Sequence, residues 1–385
     1  MLGEINGVSR RDVLKATGSS VAALSATGLA AAKPDDTVEV NVGFASERGR
    51  KAALDAADET VREFPFDAVT IQAPKKAVEA LDENPNVRYV EENGRMEALA
   101  ETLPWGVDRV DAEVAHRNGD TGAGADVAII DTGIDSDHPD LRANLGAGYA
   151  ATGCSTWYGD CRYDWDDDNG HGTHCAGIAG AIRGNDEGVV GVAPDVTLHA
   201  VKVLDSNGGG SYSDIADGIQ WTADQGYDVG SLSLGGSASS TVRDAVEYAT
   251  DRGVTLVAAA GNDGPCSDCV GYPAAYDEVI AVSATNESDD LASFSSTGPE
   301  VELAAPGADI YSTYTDGGYD TLSGTSMACP HVSGAAGLLR ANGYGPGDTR
   351  SRLQNTAEDI GLGSNEQGYG LLDVAAALGY DSSDN

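Results

Sequence analysis

Four mostly apolar, strand-like runs stand between about residue 100 and residue 379: Asp126–Ile130, Thr197–Val203, Val254–Ala258 and Glu278–Val282. Helical stretches, Ser213–Gln225 and Ser240–Arg252, fall between them. A strand that is apolar at successive positions rather than alternate ones is covered on both faces, and strands alternating with helices make a parallel sheet with helices on either side. This pattern predicts an α/β fold built on a doubly wound, mostly parallel sheet. Sites of such sheets gather at the carboxyl ends of the strands, so the residues directly after each run carry the most information.

Residues 34–99 read as a separate small unit. Val38–Phe44 alternates as a strand, Arg50–Phe64 reads as a helix, Ala68–Ile71 as a strand, Lys75–Leu81 as a helix and Val87–Glu91 as a strand. That β-α-β-α-β order predicts a small α+β domain. It contains no nucleophile and no metal-ligand cluster. Residues 1–33 resemble a twin-arginine export signal: Arg10-Arg11, the weakly apolar run Val21–Ala32 and the small-residue end Ala30-Ala31-Ala32. The alternative is a short amphipathic helix with incidental arginines. Twin-arginine export carries folded proteins out of the cell. No later stretch is long and apolar enough to span a bilayer. Residues 380–385 read as a polar, frayed tail with no further domain expected beyond it.

The charge balance narrows the partners. The chain has 62 acidic against 23 basic side chains, a formal net charge of −39. Such a surface repels nucleic acid and anionic membranes. The acids are spread along the whole chain, which argues against an acidic tail. They read as a solvation layer for concentrated salt, where screening lengths fall to about 3 Å at 1 M, or as a set of cation sites. We favour a salt-adapted protein.

Three motifs follow the predicted elements. Asp131-Thr132-Gly133 comes directly after the run ending at Ile130. His171-Gly172-Thr173-His174 follows the acidic loop Asp166–Gly170 and opens a small-residue helix. Gly324-Thr325-Ser326-Met327-Ala328 precedes Pro330 and a helix expected over His331–Leu339. Alone, each is an ordinary turn. Together they supply what acyl transfer needs. A serine hydroxyl is a weak nucleophile until a neighbouring imidazole takes its proton, and a buried carboxylate fixes the imidazole tautomer. Ala258-Ala259-Ala260-Gly261-Asn262 adds an amide at another strand end. Read by itself, Asn262 is a turn residue.

From about Ala100 to Leu378 the chain resembles the subtilisin-like serine proteases, and most closely their secreted halophilic and thermitase-like members. The match is nearly residue for residue in Asp131–Asp135 with His138–Leu141, in His171–Gly177 and in Gly324–Val332. The resemblance implies a serine endopeptidase on a doubly wound sheet, acting on protein and peptide substrates as a monomer. Asp131, His171 and Ser326 would be its triad, with Asn262 and the Ser326 N–H as oxyanion donors. The substrate would lie as an added strand between Gly208, Gly209, Gly210 and Tyr212 on one edge and Ser233, Leu234, Gly235 and Gly236 on the other. Gly271 would floor an open pocket for large apolar side chains, with Asp263 or Asp268 at most at its rim. Val229-Gly230-Ser231-Leu232 departs from the family's bulkier residues and is expected to loosen the strand behind the pocket.

The resemblance also implies structural Ca²⁺. Side chains of Glu101, Asp140 and Asn185 and backbone oxygens of Ile182, Glu187 and Val189 would hold it. Asp164, Asp166 and Asp168 form either a second, weaker site or a solvated acidic loop. Residues 34–99 would be an inhibitory, ferredoxin-like propeptide, its tail Glu92–Leu99 lying in the groove and released by autocatalysis near Ala98–Glu101. Six cysteines allow 15 pairings. Cys266 and Cys269, in the pocket-wall loop, fit a local disulfide better than half a metal site, and Cys154 with Cys161 fits a second. Cys175 and Cys329 read as free buried thiols in preference to a pair. Two rivals stand beside the protease reading: an inactive binding module on the same fold, and a metal-dependent hydrolase using the acidic loop.

Overall fold

The computed structural model describes residues 37–93, 101–155 and 161–382. The export signal, most of the Glu92–Leu99 tail and most of the expected cleavage region lie outside the described residues. The chain divides into two compact units, residues 1–98 and 99–385.

The first unit runs β1 (Thr37–Phe44), α1 (Glu47–Ala56), β2 (Glu59–Phe64), β3 (Ala68–Pro74), α2 (Lys75–Asp82) and β4 (Val87–Glu92). Its antiparallel sheet has the order β2-β3-β1-β4, and Val42, Phe44, Val69, Ile71 and Leu81 fill its core. This corrects the helix expected over Arg50–Phe64. The helix stops at Ala56, and Glu59–Phe64 pairs with β3 as an edge strand. Thr60 and Val61 favour extended backbone, and Glu59, Arg62 and Glu63 keep the edge soluble.

The second unit contains α3 (Trp105–Arg109), α4 (Ala112–Asn118), β5 (Asp126–Asp131), β6 (Tyr149–Ala150), α5 (His171–Gly180), β7 (Thr197–Lys202), α6 (Tyr212–Gln225), β8 (Val229–Leu232), α7 (Ser240–Thr250), β9 (Thr255–Ala259), β10 (Ile280–Thr285), β11 (Val301–Pro306), β12 (Ile310–Tyr314), β13 (Gly318–Leu322), α8 (Thr325–Ala341), α9 (Pro346–Thr356), α10 (Ser364–Gln367) and α11 (Val374–Leu378). Seven parallel strands form the main sheet in the order β11-β10-β9-β8-β5-β7-β6. All four apolar runs became strands of it. Their side chains alternate between two cores. Val127 and Ile129 of β5 pack towards α5 and α8, while Ala128 and Ile130 pack towards α6 and α7. Strand order reverses around β5, which places a crevice at its carboxyl end. Among the described residues, no helix is long and apolar enough to cross a membrane.

The helix expected from His331 begins earlier, at Thr325, with Pro330 inside it. Proline has no N–H, so the carbonyl four residues back loses its helical partner. Here that carbonyl belongs to Ser326. It accepts instead from Ser233 Oγ (2.8 Å) and Cys175 Sγ (3.4 Å), which lets the helix run through.

Candidate active site

Asp131 ends β5 and is fully buried. Its Oδ1 accepts from the Thr132 N–H (2.7 Å) and lies 2.7 Å from Nδ1 of His171. His171 is the first residue of α5, and its side chain is 27% exposed, enough to reach a substrate. Burial lowers the His171 pKa, but the charge and hydrogen bond of Asp131 outweigh it, so the net shift is upward from 6.5. Burial drives His174 and His331 the other way, to about 4.

Three carboxylates ahead of His171 are buried, and each has a separate task. Asp167 clamps the turn into α5: it accepts from the N–H groups of Asn169, Gly170 and Thr173 (2.9 Å each) and from the hydroxyls of Thr132 (2.8 Å) and Thr173 (2.6 Å). A carboxylate at a helix start satisfies first-turn N–H groups and the helix dipole. Gly170, at φ 103°, supplies the left-handed turn. Asp166 accepts from the N–H groups of Ser136, Arg162 and Tyr163. Asp168 meets the ammonium of Lys202 at 2.6 Å. The structure therefore does not assemble Asp164, Asp166 and Asp168 as a cation site. Asp168 is neutralised by lysine, and Asp166 is occupied by backbone donors. The sequence reading missed Asp167 and Lys202.

Ser326 is the second residue of α8, so its N–H is an orphan donor of the first turn. Its hydroxyl donates to the Ser233 carbonyl (3.2 Å) and must leave that acceptor to reach His171. Asn262 follows Gly261, which sits at φ 115°. Asn262 Oδ1 accepts from both the N–H (2.9 Å) and the hydroxyl (3.1 Å) of Thr325. The carbonyl end of the amide is thereby fixed, and Nδ2 is left for the cavity that Asn262 and Ser326 share. That cavity, about 510 Å³, is also lined by Gly235, Gly236, Gly271 and Asp263. A second hollow of about 470 Å³ joins it along Ser233–Ser237 and holds His171, Gly208, Gly209, Gly210, Tyr212 and Leu234. Every expected groove residue therefore lines one of two adjoining cavities.

Ser231 does not loosen its strand. All four residues of β8 are buried, and Ser231 Oγ accepts from Ser333 Oγ of α8 at 2.8 Å. Cys154 with Cys161 and Cys266 with Cys269 lie at disulfide distance, while Cys175 and Cys329 are unpaired and buried. The Cys175 thiol is held well above its usual pKa by burial and by the nearby Asp131 charge.

The residues expected to hold calcium are partly gathered. Asp140 is fully buried, and its carboxylate accepts from Asn185 Nδ2 (2.6 Å) and the Val189 N–H (2.8 Å). Glu101 accepts from the Gly184 N–H in the same loop. Ile182 donates its N–H to the Asp140 backbone oxygen (3.0 Å), and Glu187 donates its N–H to Asn185 Oδ1 (3.0 Å). Among the described residues, no lysine or arginine pairs with Asp140. The buried Asp140 carboxylate has no cationic partner among those residues and is met here by N–H and O–H donors, the Tyr319 hydroxyl among them (3.4 Å). A carboxylate, an amide and backbone oxygens are the ligand types a hard cation takes, so the residue types fit calcium.

A buried carboxylate on an imidazole, beside a serine at a helix start and an anchored amide, defines a serine hydrolase on a doubly wound sheet. The chain belongs to the subtilase family, whose model matches residues 122–370, and it is a serine-type endopeptidase. It is 43% identical over 312 residues to an alkaline protease of Alkalihalobacillus alcalophilus, covering 80% of this chain and 78% of that one. It is likewise 43% identical over 308 residues to subtilisin E of Bacillus subtilis, covering 79% and 78%. A thermostable alkaline protease of Halalkalibacterium halodurans is 43% identical over 306 residues, covering 79% and 81%.

Proposed function

We propose that this chain is the precursor of a secreted endopeptidase that cuts peptide bonds through an acyl-enzyme on Ser326. The observation that carries the reading is the 2.7 Å contact of His171 with buried Asp131, beside the cavity that Ser326 and Asn262 share. Ser326 Oγ attacks the scissile carbonyl while His171 Nε2 takes its proton. Asp131 holds the Nδ1–H tautomer and stabilises the imidazolium. The tetrahedral oxyanion accepts from Asn262 Nδ2 and the Ser326 N–H. His171 then protonates the leaving amine, and water repeats the sequence on the ester. The base must be neutral to act, so activity is lost as pH falls through the raised His171 value. A fluorophosphonate probe is expected to label the matured protein at Ser326 alone, read by peptide mass mapping. A matured protein that takes up no label would instead be a binding module.

The substrate backbone runs between Gly208–Gly210 and Ser233–Gly235, with its leading side chain over Gly271. A Cβ at Gly271 meets backbone only at 3.8–3.9 Å, which is ordinary contact, so larger residues fit there and fill the pocket. Gly271→Ile is expected to lower kcat/KM for peptides with Phe or Leu before the scissile bond by about 10- to 100-fold relative to Ala. Equal losses for all three peptides would mean that Gly271 does not floor the pocket.

Export by the twin-arginine route, inhibition by residues 34–99 and autocatalytic removal of that segment complete the reading. Glu101, Asp140 and Asn185, with the Ile182, Glu187 and Val189 carbonyls, hold a structural Ca²⁺ that ties the start of the mature chain to its loop. The charge of −39 adapts the enzyme to salt, because self-repulsion in dilute buffer is screened near 1 M. Activity at fixed temperature is expected to last longest in molar salt with calcium and shortest in dilute buffer with a chelator. Initial rates should change less than lifetimes. Full lifetime in dilute chelator would remove both the calcium and the salt readings.

A further inference from the structure

We propose that Lys202 and Asp168 are a positioning pair that sets the geometry between Asp131 and His171. The inference rests on the assignment of those two residues above. Lys202 ends β7, in register with Asp131 of β5, and its side chain is completely buried. An ammonium has three N–H donors, and here each has an acceptor: Thr132 O (2.6 Å), Asp168 Oδ1 (2.6 Å) and Leu204 O (3.0 Å).

Each acceptor belongs to a different wall of the site. Thr132 follows Asp131, and its hydroxyl accepts from the Gly172 N–H (2.9 Å) next to His171. Asp168 lies three residues before His171. Leu204 begins the stretch that leads to Gly208–Gly210 and lines the cleft. The other oxygen of Asp168 accepts from the Ser155 N–H (2.7 Å), beside Cys154. One buried charge therefore joins the aspartate strand, the histidine loop, a substrate edge and the cysteine loop.

A buried ion pair is a weak source of net stability, because desolvation offsets the attraction, and neutral groups of similar volume often serve as well. What the pair supplies that apolar groups cannot is direction: three short bonds at fixed angles. A displacement of about 1 Å between catalytic groups costs about 100-fold in rate.

The test uses the matured enzyme, titrated with a fluorophosphonate so that rates are expressed per reactive serine. The neutral pair Lys202→Met/Asp168→Asn leaves no uncompensated charge and keeps an acceptor for Ser155. Its kcat per titrated site on a tetrapeptide anilide is expected to fall about 30- to 100-fold, with KM moved by less than about threefold. The single change Asp168→Asn keeps volume and an acceptor for Lys202, and kcat per titrated site should fall about three- to tenfold. A kcat per titrated site equal to the parent's in either variant, with or without a lower thermal midpoint, would make the pair merely structural and overturn the proposal. If the double variant does not mature, the single variant decides. A parent enzyme that cannot be titrated at all would refute the assignment of Ser326, a different failure from that of Lys202.

Discussion

Ser326→Ala protein, made beside the parent in high salt with calcium, is expected to stay longer than the parent by intact mass. The parent should begin near residues 98–101, with residues 34–99 removed, and the variant should keep that segment. Peptide hydrolysis by the variant, matured in trans, should fall about 10⁶-fold in kcat, the magnitude already established for subtilisin-type triads. The physical ground is specific. Without Oγ, His171 has no nucleophile to deprotonate, while Asn262 and the backbone N–H at 326 remain. Those donors and the groove still bind a transition state, so a residual rate of about 10³–10⁴ over water is expected to persist. The fold should be little affected, because the lost hydroxyl makes a single 3.2 Å bond to the Ser233 carbonyl. If both proteins are trimmed alike, another protease matures the chain and the autocatalytic reading fails.

The sheet was legible because its strands are buried on both faces. Runs such as Asp126–Ile130 leave no polar face, and the structure divides Val127 and Ile129 from Ala128 and Ile130 between two cores. The candidate site was legible because Asp131, His171, Asn262 and Ser326 each sit near the beginning or end of an element, within a recognisable local motif. Failures came where a residue's partner is distant or its surroundings are atypical. Glu59–Phe64 has no apolar face to mark it, and only pairing with Ala68–Pro74 makes it a strand. The start of α8 was misplaced because Pro330 reads locally as a helix breaker. The groups that satisfy the freed Ser326 carbonyl come from Ser233 and Cys175, far away in sequence. Lys202 lay hidden in a mostly apolar run, and its partner Asp168 lay 34 residues away in a stretch that read as either a weak cation site or solvated acid. Local pattern reveals faces and ends of elements. It does not reveal which buried charges meet.

Asn262→Ala should lower kcat about 10²- to 10³-fold with little change in KM, the range known for subtilisin-type oxyanion donors. Its Nδ2 has no carbonyl to serve in the ground state at the same position, so the loss falls on the transition state. Alanine, however, removes two things at once, because Asn262 Oδ1 also anchors the N–H and hydroxyl of Thr325 at the start of α8. Asn262→Asp separates them. A carboxylate still accepts from Thr325, so Ser326 should keep its place and the thermal midpoint should stay near the parent's. It offers no N–H and brings a negative charge towards the developing oxyanion, so kcat should fall at least as far as in Asn262→Ala. Should Asn262→Asp keep most of the parent's kcat while Asn262→Ala loses it, the residue acts only by anchoring Thr325, and the oxyanion rests on the Ser326 N–H and some other donor.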